Sequence, residues 1–344
     1  MGMTALEIRA ATGVSRILIG ESLGNLARYT SGRRTVVITD STVDGLFGSS
    51  YAADEKIVLV PGEGAKTLAT IERIYGRLLE MGADRSTFIA AVGGGVVCDI
   101  AGFAASTYLR GLPFGFAATT LVAQVDAAVG GKNGVNFGGY KNMVGVFQQP
   151  LFVICDPDVL RTLPRREVAC GLAELAKTAA IGSPGLFEDL ELNAERALAL
   201  EREFIARAVH ECLRVKASIV ESDEREAGER RRLNFGHTLG HAVESVTGLS
   251  HGEAVSVGLA FAAEFSVRKG FLGSGDGDRV TRLLGRLGLP VKADAPPEAV
   301  LDAVAKDKKK EGGSVRFVFL EGIGRALVRE ISLKELESAV RDLR

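Results

Sequence analysis

Across the first 157 residues, short β-branched runs alternate with helical patterns, and this alternation limits the fold more than any other feature of the chain. The runs fall at residues 16–19, 35–39, 56–60, 87–92 and 151–155. Strands separated by helix-length crossovers are the signature of βαβ units and a parallel sheet. Between the third and fourth runs, Leu68, Ile71, Ile74, Leu78 and Leu79 recur at three- and four-residue steps, which predicts an amphipathic crossover helix ended by Gly82. Beyond Pro157 the pattern turns helical, over 167–181, 201–221, 235–246, 253–269 and 278–287. One late hairpin is expected from runs at 315–320 and 325–329, separated by Gly322 and Gly324.

Gly93, Gly94 and Gly95 follow the apolar run at 87–92 and precede a helical stretch that begins near Val96 and contains Asp99. Glycines there let the backbone approach a pyrophosphate at a helix N-terminus, where unpaired N–H groups and the helix dipole favour anions. The stricter G-x-G-x-x-G spacing is absent because Cys98 takes its last position, so a plain strand-to-helix turn is the alternative. Asp40 ends the second run, where a carboxylate either accepts hydrogen bonds from an adenosine ribose or caps the next helix. The segment PGEGAK, beginning at Pro61, leaves the third run with both a carboxylate and an amine. Three polar strand ends on one edge of a parallel sheet point to a dinucleotide.

The chain has four histidines, and His237, His241 and His251 fall within fifteen residues. In NFGHTLGHAVE the first two are four apart and share a helix face. A zincin would carry glutamate directly after the first histidine, and here Thr238 stands there, which excludes that class of metalloprotease. His251 opens the next predicted helix and can turn back to the same metal. Catalytic zinc takes three protein ligands and keeps one position open, and Glu174 in AELAK offers a carboxylate, with Lys177 one turn later.

Forty-two basic and forty-three acidic residues give a net charge of −1, so no global field draws the chain to nucleic acid or to an anionic membrane. Glycine reaches 42 of 344 residues, well above the usual ~7%, as expected where backbone meets ligand. Cys98, Cys155, Cys170 and Cys212 show no C-x-x-C spacing and sit among apolar residues, which reads as reduced thiols in a cytoplasmic protein. No apolar run approaches the ~18 residues of a membrane span, and no export segment is expected at the N-terminus. The lysine run 308–310 taken alone reads as a solvated loop.

From about residue 40 to 324 the chain resembles the dehydroquinate synthase family. The resemblance is carried, in order, by GGGVVCDIAGF at Gly93, STYLRG at Ser106, TTLVAQVDAAVGGKNGVN at Thr119, YKNMVGVFQQP at Tyr140 and LRTLPRREVACGLAELAK at Leu160. It continues through RRRLNFGHTLGHAVE at Arg230, HGEAVSVG at His251 and DKKKEGGSVRFVFLEGIG at Asp307. The resemblance implies zinc, with Co2+ as a possible substitute, held by Glu174, His237 and His251, and it places His241 in the substrate site. It implies NAD held by Asp40, Glu63, Lys66, Gly94, Gly95, Val96, Asp99, Thr119, Thr120, Lys132, Lys141 and Thr162. The substrate, a seven-carbon sugar acid phosphate, would meet Asp126, Lys132, Asn142, Lys177, Lys216, Arg230 and Asn234. By the same resemblance a homodimer lets Arg110 reach the partner subunit's site, and Lys308 or Lys309 closes over the phosphate. Cys98 and Ala118 depart from the glycine and proline common in the family, and neither position bears a reacting group.

The implied reaction is phosphate elimination from 3-deoxy-arabino-heptulosonate 7-phosphate through transient oxidation by NAD, with an intramolecular aldol closing the carbocycle. Cyclases acting on other heptuloses lose residues matching Lys177 and Asn234, and both are present here. A metal-dependent polyol dehydrogenase of similar two-domain plan, and a non-catalytic NAD-binding module, are the rival readings. The resulting expectation is an α/β chain with a Rossmann-like parallel-sheet NAD-binding domain over 1–157 and a mainly helical zinc- and substrate-binding domain over 158–344.

Overall fold

The computed structural model describes residues 2–308 and 314–342, with the side chains of 306–308 and 342 outside the description. Two compact units form: residues 1–163 with 205–225, and residues 164–204 with 226–344.

The first unit is built on strands β1 (Thr4–Ala10), β2 (Gly13–Ile19), β3 (Thr35–Asp40), β4 (Glu55–Leu59), β5 (Phe88–Gly93), β6 (Phe114–Ala118), β7 (Lys132–Phe137), β8 (Tyr140–Phe147) and β9 (Phe152–Cys155). Its helices are α1 (Ser41–Phe47), α2 (Leu68–Glu80) and α3 (Gly95–Thr107). Seven strands make one sheet in the order β1-β2-β9-β6-β5-β3-β4, and only the β1–β2 pair is antiparallel. Every residue of β3 and β5 is buried, as a parallel sheet covered on both faces requires. From β4 the succession β4-β3-β5-β6-β9 is the 2-1-3-4-5 order of doubly wound sheets, whose ligand crevice opens at the carboxyl ends flanking the switch point, here between β3 and β5. Asp40 and Gly93 are the last residues of those two strands. β7 and β8 form a separate hairpin turning at Gly138 and Gly139, both at positive φ.

The five expected strand runs all lie on strands of the sheet, and the crossover helix is α2, followed by Gly82 at φ +65°. Ile71, Ile74 and Leu78 are buried as its periodicity requires. Leu68 and Leu79 are not: they are 39% and 74% exposed, because at ~100° per residue both fall on one flank of the apolar stripe formed by Ile71, Ile74 and Leu78.

The second unit contains α4 (Arg165–Gly182), α5 (Pro184–Leu192) and α6 (Ala194–Leu198). The next helix, α7 (Arg202–Ser222), groups with the first unit from Ile205 onward. Then follow α8 (His237–Thr247), α9 (His251–Arg268), α10 (Ser274–Arg286), α11 (Pro297–Lys308), strands β10 (Ser314–Gly322) and β11 (Arg325–Ser332), and α12 (Leu333–Asp342). The late hairpin is β10–β11, and its turn is tied to α4 by Gly324 N–H donating to Ala180 O at 2.8 Å. Phe261 and Phe265 of α9 pack on Phe317 and Phe319 of β10, with ring centroids 5.2–6.2 Å apart.

Glycines set how closely the helices of this unit approach. A Cβ on Gly258 of α9 would lie 2.0 Å from the backbone oxygen of Gly236, and one on Gly252 would lie 2.2 Å from Cys170 Cα in α4. Backbone cannot yield as a side-chain tip can, so both helix crossings need glycine. Alanine normally improves a helix interior by ~1 kcal/mol over glycine, and Gly76 in the middle of α2, with nothing within 4 Å of its Cβ position, should follow that rule. Gly258→Ala should instead destabilise the protein by about 1–3 kcal/mol. Urea unfolding of the two variants checks this, and a neutral or stabilising Gly258→Ala would contradict the crossing geometry.

Candidate active site

Three helices of the second unit deliver three ligand-type side chains to one point. α4 carries Glu174, α8 begins at His237 after Gly236 in the left-handed region (φ +78°), and α9 begins at His251. The start of α9 is fixed by a capping box between Ser250 and Glu253. It is fastened to α4 by Arg166, whose Nε and Nη2 donate to Glu253 Oε2 at 3.0 and 2.7 Å, and by the Cys170 thiol, which donates to Ser250 Oγ at 3.3 Å. The missing side chain at Gly252 lets His251 come down beside Glu174.

Glu174 is fully buried. His237 Nε2 and His251 Nε2 stand 3.6 and 3.5 Å from its Oε1, and one ligand atom from each of the three residues lies within 4.8 Å of the others. Neither carboxylate oxygen accepts a well-aligned hydrogen bond, although Lys177 Nζ lies 2.6 Å from Oε2. A buried carboxylate oxygen facing two imidazole nitrogens, with no donor aligned on it, fits a divalent cation. Three protein donors leave the fourth tetrahedral position open.

The electrostatics agree with that geometry. Burial pulls the His237 imidazole down to about 3, helped by the Lys177 charge, so it is neutral and its nitrogen is available. Burial also works against a charged His251, but the Glu174 and Glu244 carboxylates outweigh it and push it up to about 9. Burial raises the Glu174 carboxyl, and Lys177 with the two imidazoles reverses this and holds it well below the usual range. Both ring Nδ1 atoms are engaged away from the cluster: His237 Nδ1 is 3.2 Å from Phe235 O, and His251 Nδ1 is 3.3 Å from Glu244 Oε2. Such partners fix tautomer and ring orientation and turn Nε2 toward a metal. Glu244 was not singled out from sequence, though it closes the NFGHTLGHAVE segment.

His241, one turn after His237, is exposed, with its ring centroid 5.2 Å from that of His237 and 5.9 Å from that of His251. It is not one of the three residues whose ligand atoms converge among the described residues. The 3-10 segment Glu229–Asn234 carries Arg230, 3% exposed, and Asn234, whose Nδ2 donates to Glu226 Oε1 at 2.6 Å. Glu226, at φ +60°, is a second carboxylate that sequence reasoning passed over. Lys308 ends α11 with its side chain outside the described residues, and Lys309 lies outside them altogether.

The first unit carries the residues expected for the nucleotide, and Asp40, Glu63, Gly94 and Thr119 lie at or just beyond the carboxyl ends of β3, β4, β5 and β6. Gly94 caps α3 without a side-chain hydrogen bond, and Gly95 and Val96 open the helix, so the first-turn N–H groups face outward. A Cβ on Gly94 would lie 2.9 Å from Thr120 Cγ2. Thr119 Oγ1 is buried without a hydrogen-bond partner among the described residues, which buried hydroxyls rarely are. Asp40 caps α1, its Oδ1 accepting from Thr42 and Val43 at 2.9 and 3.0 Å. Lys66 donates to Asn142 Oδ1 at 2.5 Å and pairs with Asp99, whose carboxyl burial raises to about 6 despite that lysine. Glu63 starts a short 3-10 turn, Lys132 opens β7, Lys141 lies exposed on β8, and Thr162 donates to Val159 O at 3.0 Å.

Also in this unit, Lys216 of α7 pairs with Asp126 and donates to its carbonyl at 2.5 Å. Asp126 sits in a single π-helical turn, Ala123–Ala127, the kind of irregularity that concentrates at functional sites. Arg110 and the preceding Leu109 both have positive φ, +68° and +50°, a costly backbone arrangement for such residues.

Comparison with known proteins gives one answer over both units. Residues 56–170 match the family described as 3-dehydroquinate synthase N-terminal, and residues 171–310 match 3-dehydroquinate synthase C-terminal. The chain is similar to the 3-dehydroquinate synthase of Nitrosospira multiformis, 44% identical over 87% of this chain and 85% of that protein. It is also similar to that of Pelobacter propionicus, 39% identical over 97% and 98%. Among solved structures it superposes on 2-deoxy-scyllo-inosose synthase complexed with carbaglucose-6-phosphate, NAD+ and Co2+ with a TM-score of 0.86 at 26% identity, covering 98% and 99% of the two chains. The 2-epi-5-epi-valiolone synthase from Streptomyces hygroscopicus subsp. jinggangensis, with NAD+ and Zn2+ bound, gives 0.86 at 27% identity over 95% and 96%. A probable glycerol dehydrogenase from Sinorhizobium meliloti shares the fold at 19% identity and a TM-score of 0.65 over 93% of each chain.

The geometry around His251 generates a test. If Glu244 holds the imidazole for metal binding, Glu244→Ala should weaken zinc affinity by about 10- to 100-fold while leaving the fold intact. Competitive titration against a chromophoric chelator reads this directly, and an unchanged affinity would show that Glu244 does not orient the ligand.

Proposed function

The chain belongs to the 3-dehydroquinate synthase family, and from that premise we propose that it converts 3-deoxy-D-arabino-heptulosonate 7-phosphate to 3-dehydroquinate and inorganic phosphate as an NAD- and zinc-dependent lyase of aromatic amino-acid biosynthesis. The observation that carries this reading is the convergence of Glu174, His237 and His251 on one point, with Lys177 beside the buried carboxylate. A polyol dehydrogenase is not favoured, because likeness to one is confined to the fold.

Phosphate leaves carbon seven readily only when the neighbouring proton is acidic, which a transient ketone at C5 achieves. When bound, zinc would supply Lewis acidity at the substrate hydroxyls and NAD a reversible hydride acceptor, with no net redox change. Glu174, His237 and His251 would hold the ion, and Asp40, Glu63, Lys66, the Gly94–Val96 turn, Asp99, Thr119, Thr120, Lys132, Lys141 and Thr162 the dinucleotide. The remaining residues serve a ligand that is anionic at both ends. Arg230 and Lys216 suit its carboxylate, and Lys132, Lys308 and the partner's Arg110 suit its phosphate, through charge-assisted hydrogen bonds. Asp126 orients Lys216, and Glu226 orients Asn234. His241 stays off the metal, where an imidazole can donate to the phosphate or relay a proton. We assign residues 1–157 chiefly to the cofactor and 158–344 chiefly to metal and substrate, in a cytoplasmic homodimer. All four cysteines are free and buried, and no described helix is long and apolar enough to cross a membrane.

Two outcomes follow. Phosphate should be released in large molar excess over added NAD while absorbance of NADH stays flat, and stoichiometric NADH accumulation would instead mark a dehydrogenase. Mixing an Arg110→Ala protein with a Lys177→Ala protein should restore partial activity through hybrid dimers. No recovery after proven subunit exchange would mean that each site is built from one chain.

A further inference from the structure

Asn136 carries no role in the reading above, yet it touches three of the residues that do. On β7, its Nδ2 donates to Glu63 Oε1 at 2.7 Å. Its Oδ1 accepts the backbone N–H of Asn142 at 2.9 Å. Its own N–H donates to Lys66 O at 2.9 Å, and Thr67 bridges to it in parallel. Lys66 closes the ring by donating its Nζ to Asn142 Oδ1 at 2.5 Å. The orientation of the Asn136 amide is fixed by chemistry: turned over, its NH2 would face an N–H and its oxygen a carboxylate.

Each of these bonds has a consequence for a ligand. With Oε1 accepting from Asn136, Glu63 is biased toward the orientation that leaves Oε2 for a ribose hydroxyl. Asn142 adopts φ +52°, a left-handed conformation that asparagine tolerates but does not prefer, and it is held there at its N–H by Asn136 and at its side chain by Lys66. Resting on the assignment of Glu63 to NAD and Asn142 to substrate, we propose that Asn136 is a positioning residue that links the two. Through one carboxamide it aims the carboxylate that receives the cofactor and fixes the left-handed backbone that presents Asn142 to the substrate.

The two arms of the carboxamide separate by substitution. Asn136→Asp keeps an acceptor for Asn142 N–H but loses the donor to Glu63 and sets a like charge against it. Asn136→Ala loses both arms. The test titrates NAD into the zinc-loaded, full-length protein and measures kcat and KM for the phosphorylated substrate at saturating NAD. Asn136→Asp should raise the Kd for NAD about tenfold or more and leave KM near that of the unaltered chain. Asn136→Ala should raise both, with zinc content unchanged, and combining it with Glu63→Ala should weaken NAD no further than Glu63→Ala alone. Equal effects of Asp and Ala on both constants, or full additivity with Glu63→Ala, would overturn the proposal by marking a merely structural residue. If Asn136→Ala does not fold, the Kd-against-KM split in Asn136→Asp decides alone. An unaltered chain that neither binds NAD nor releases phosphate would instead defeat the functional reading beneath it.

Discussion

A carboxylate with no exposed surface is the constraint on which the second unit is organised. Taking Glu174 out of water costs several kcal/mol in effective terms, and that cost is met only if positive charge is built around it. Lys177 at 2.6 Å and the imidazoles of His237 and His251 at 3.6 and 3.5 Å surround it, and a divalent cation held there would meet that cost more completely. The charge balance and the metal site are therefore one arrangement.

That arrangement imposes its own packing. Three ligands on three helices reach one point only if the helices cross closely, and the glycines that permit it lie within the ligand motifs themselves. Gly236 precedes His237, Gly252 follows His251, and Gly258 packs against Gly236. Each motif thus carries the chemical group and the means of bringing it near the others. In the first unit the same economy holds at the Gly93–Gly95 turn, where a Cβ would press on Val97, Thr120 or Ala127 and where the first-turn N–H groups of α3 have no intrahelical partner.

Much of this was legible in the sequence because it depends on local pattern. β3 and β5 read as strands because they are continuous apolar runs, and α2, α4 and α9 read as helices from their period. β1 did not, although Leu6, Glu7, Ile8 and Arg9 alternate as an edge strand with one face in water does, because it lacks a β-branched run, and β6, FGFAA, lacks branched residues altogether. Leu68 and Leu79 show that a helical stripe does not define its own edges. Among the candidate site residues, the three-histidine cluster was visible from spacing, whereas Glu244, Glu226 and Asn136 act through hydrogen bonds to other residues, which only the folded chain displays.

The central claim is that three protein ligands, and not the i, i+4 histidine pair, define the metal centre. A fourth protein donor would close the position that substrate hydroxyls must take, so His241 has to remain off the ion. Metal analysis of two purified variants tests this most directly. The account predicts about one zinc per chain in His241→Ala, with turnover largely lost, and loss of the metal itself in His237→Ala. Equal zinc loss in both variants would contradict it and make the helix pair the chelate.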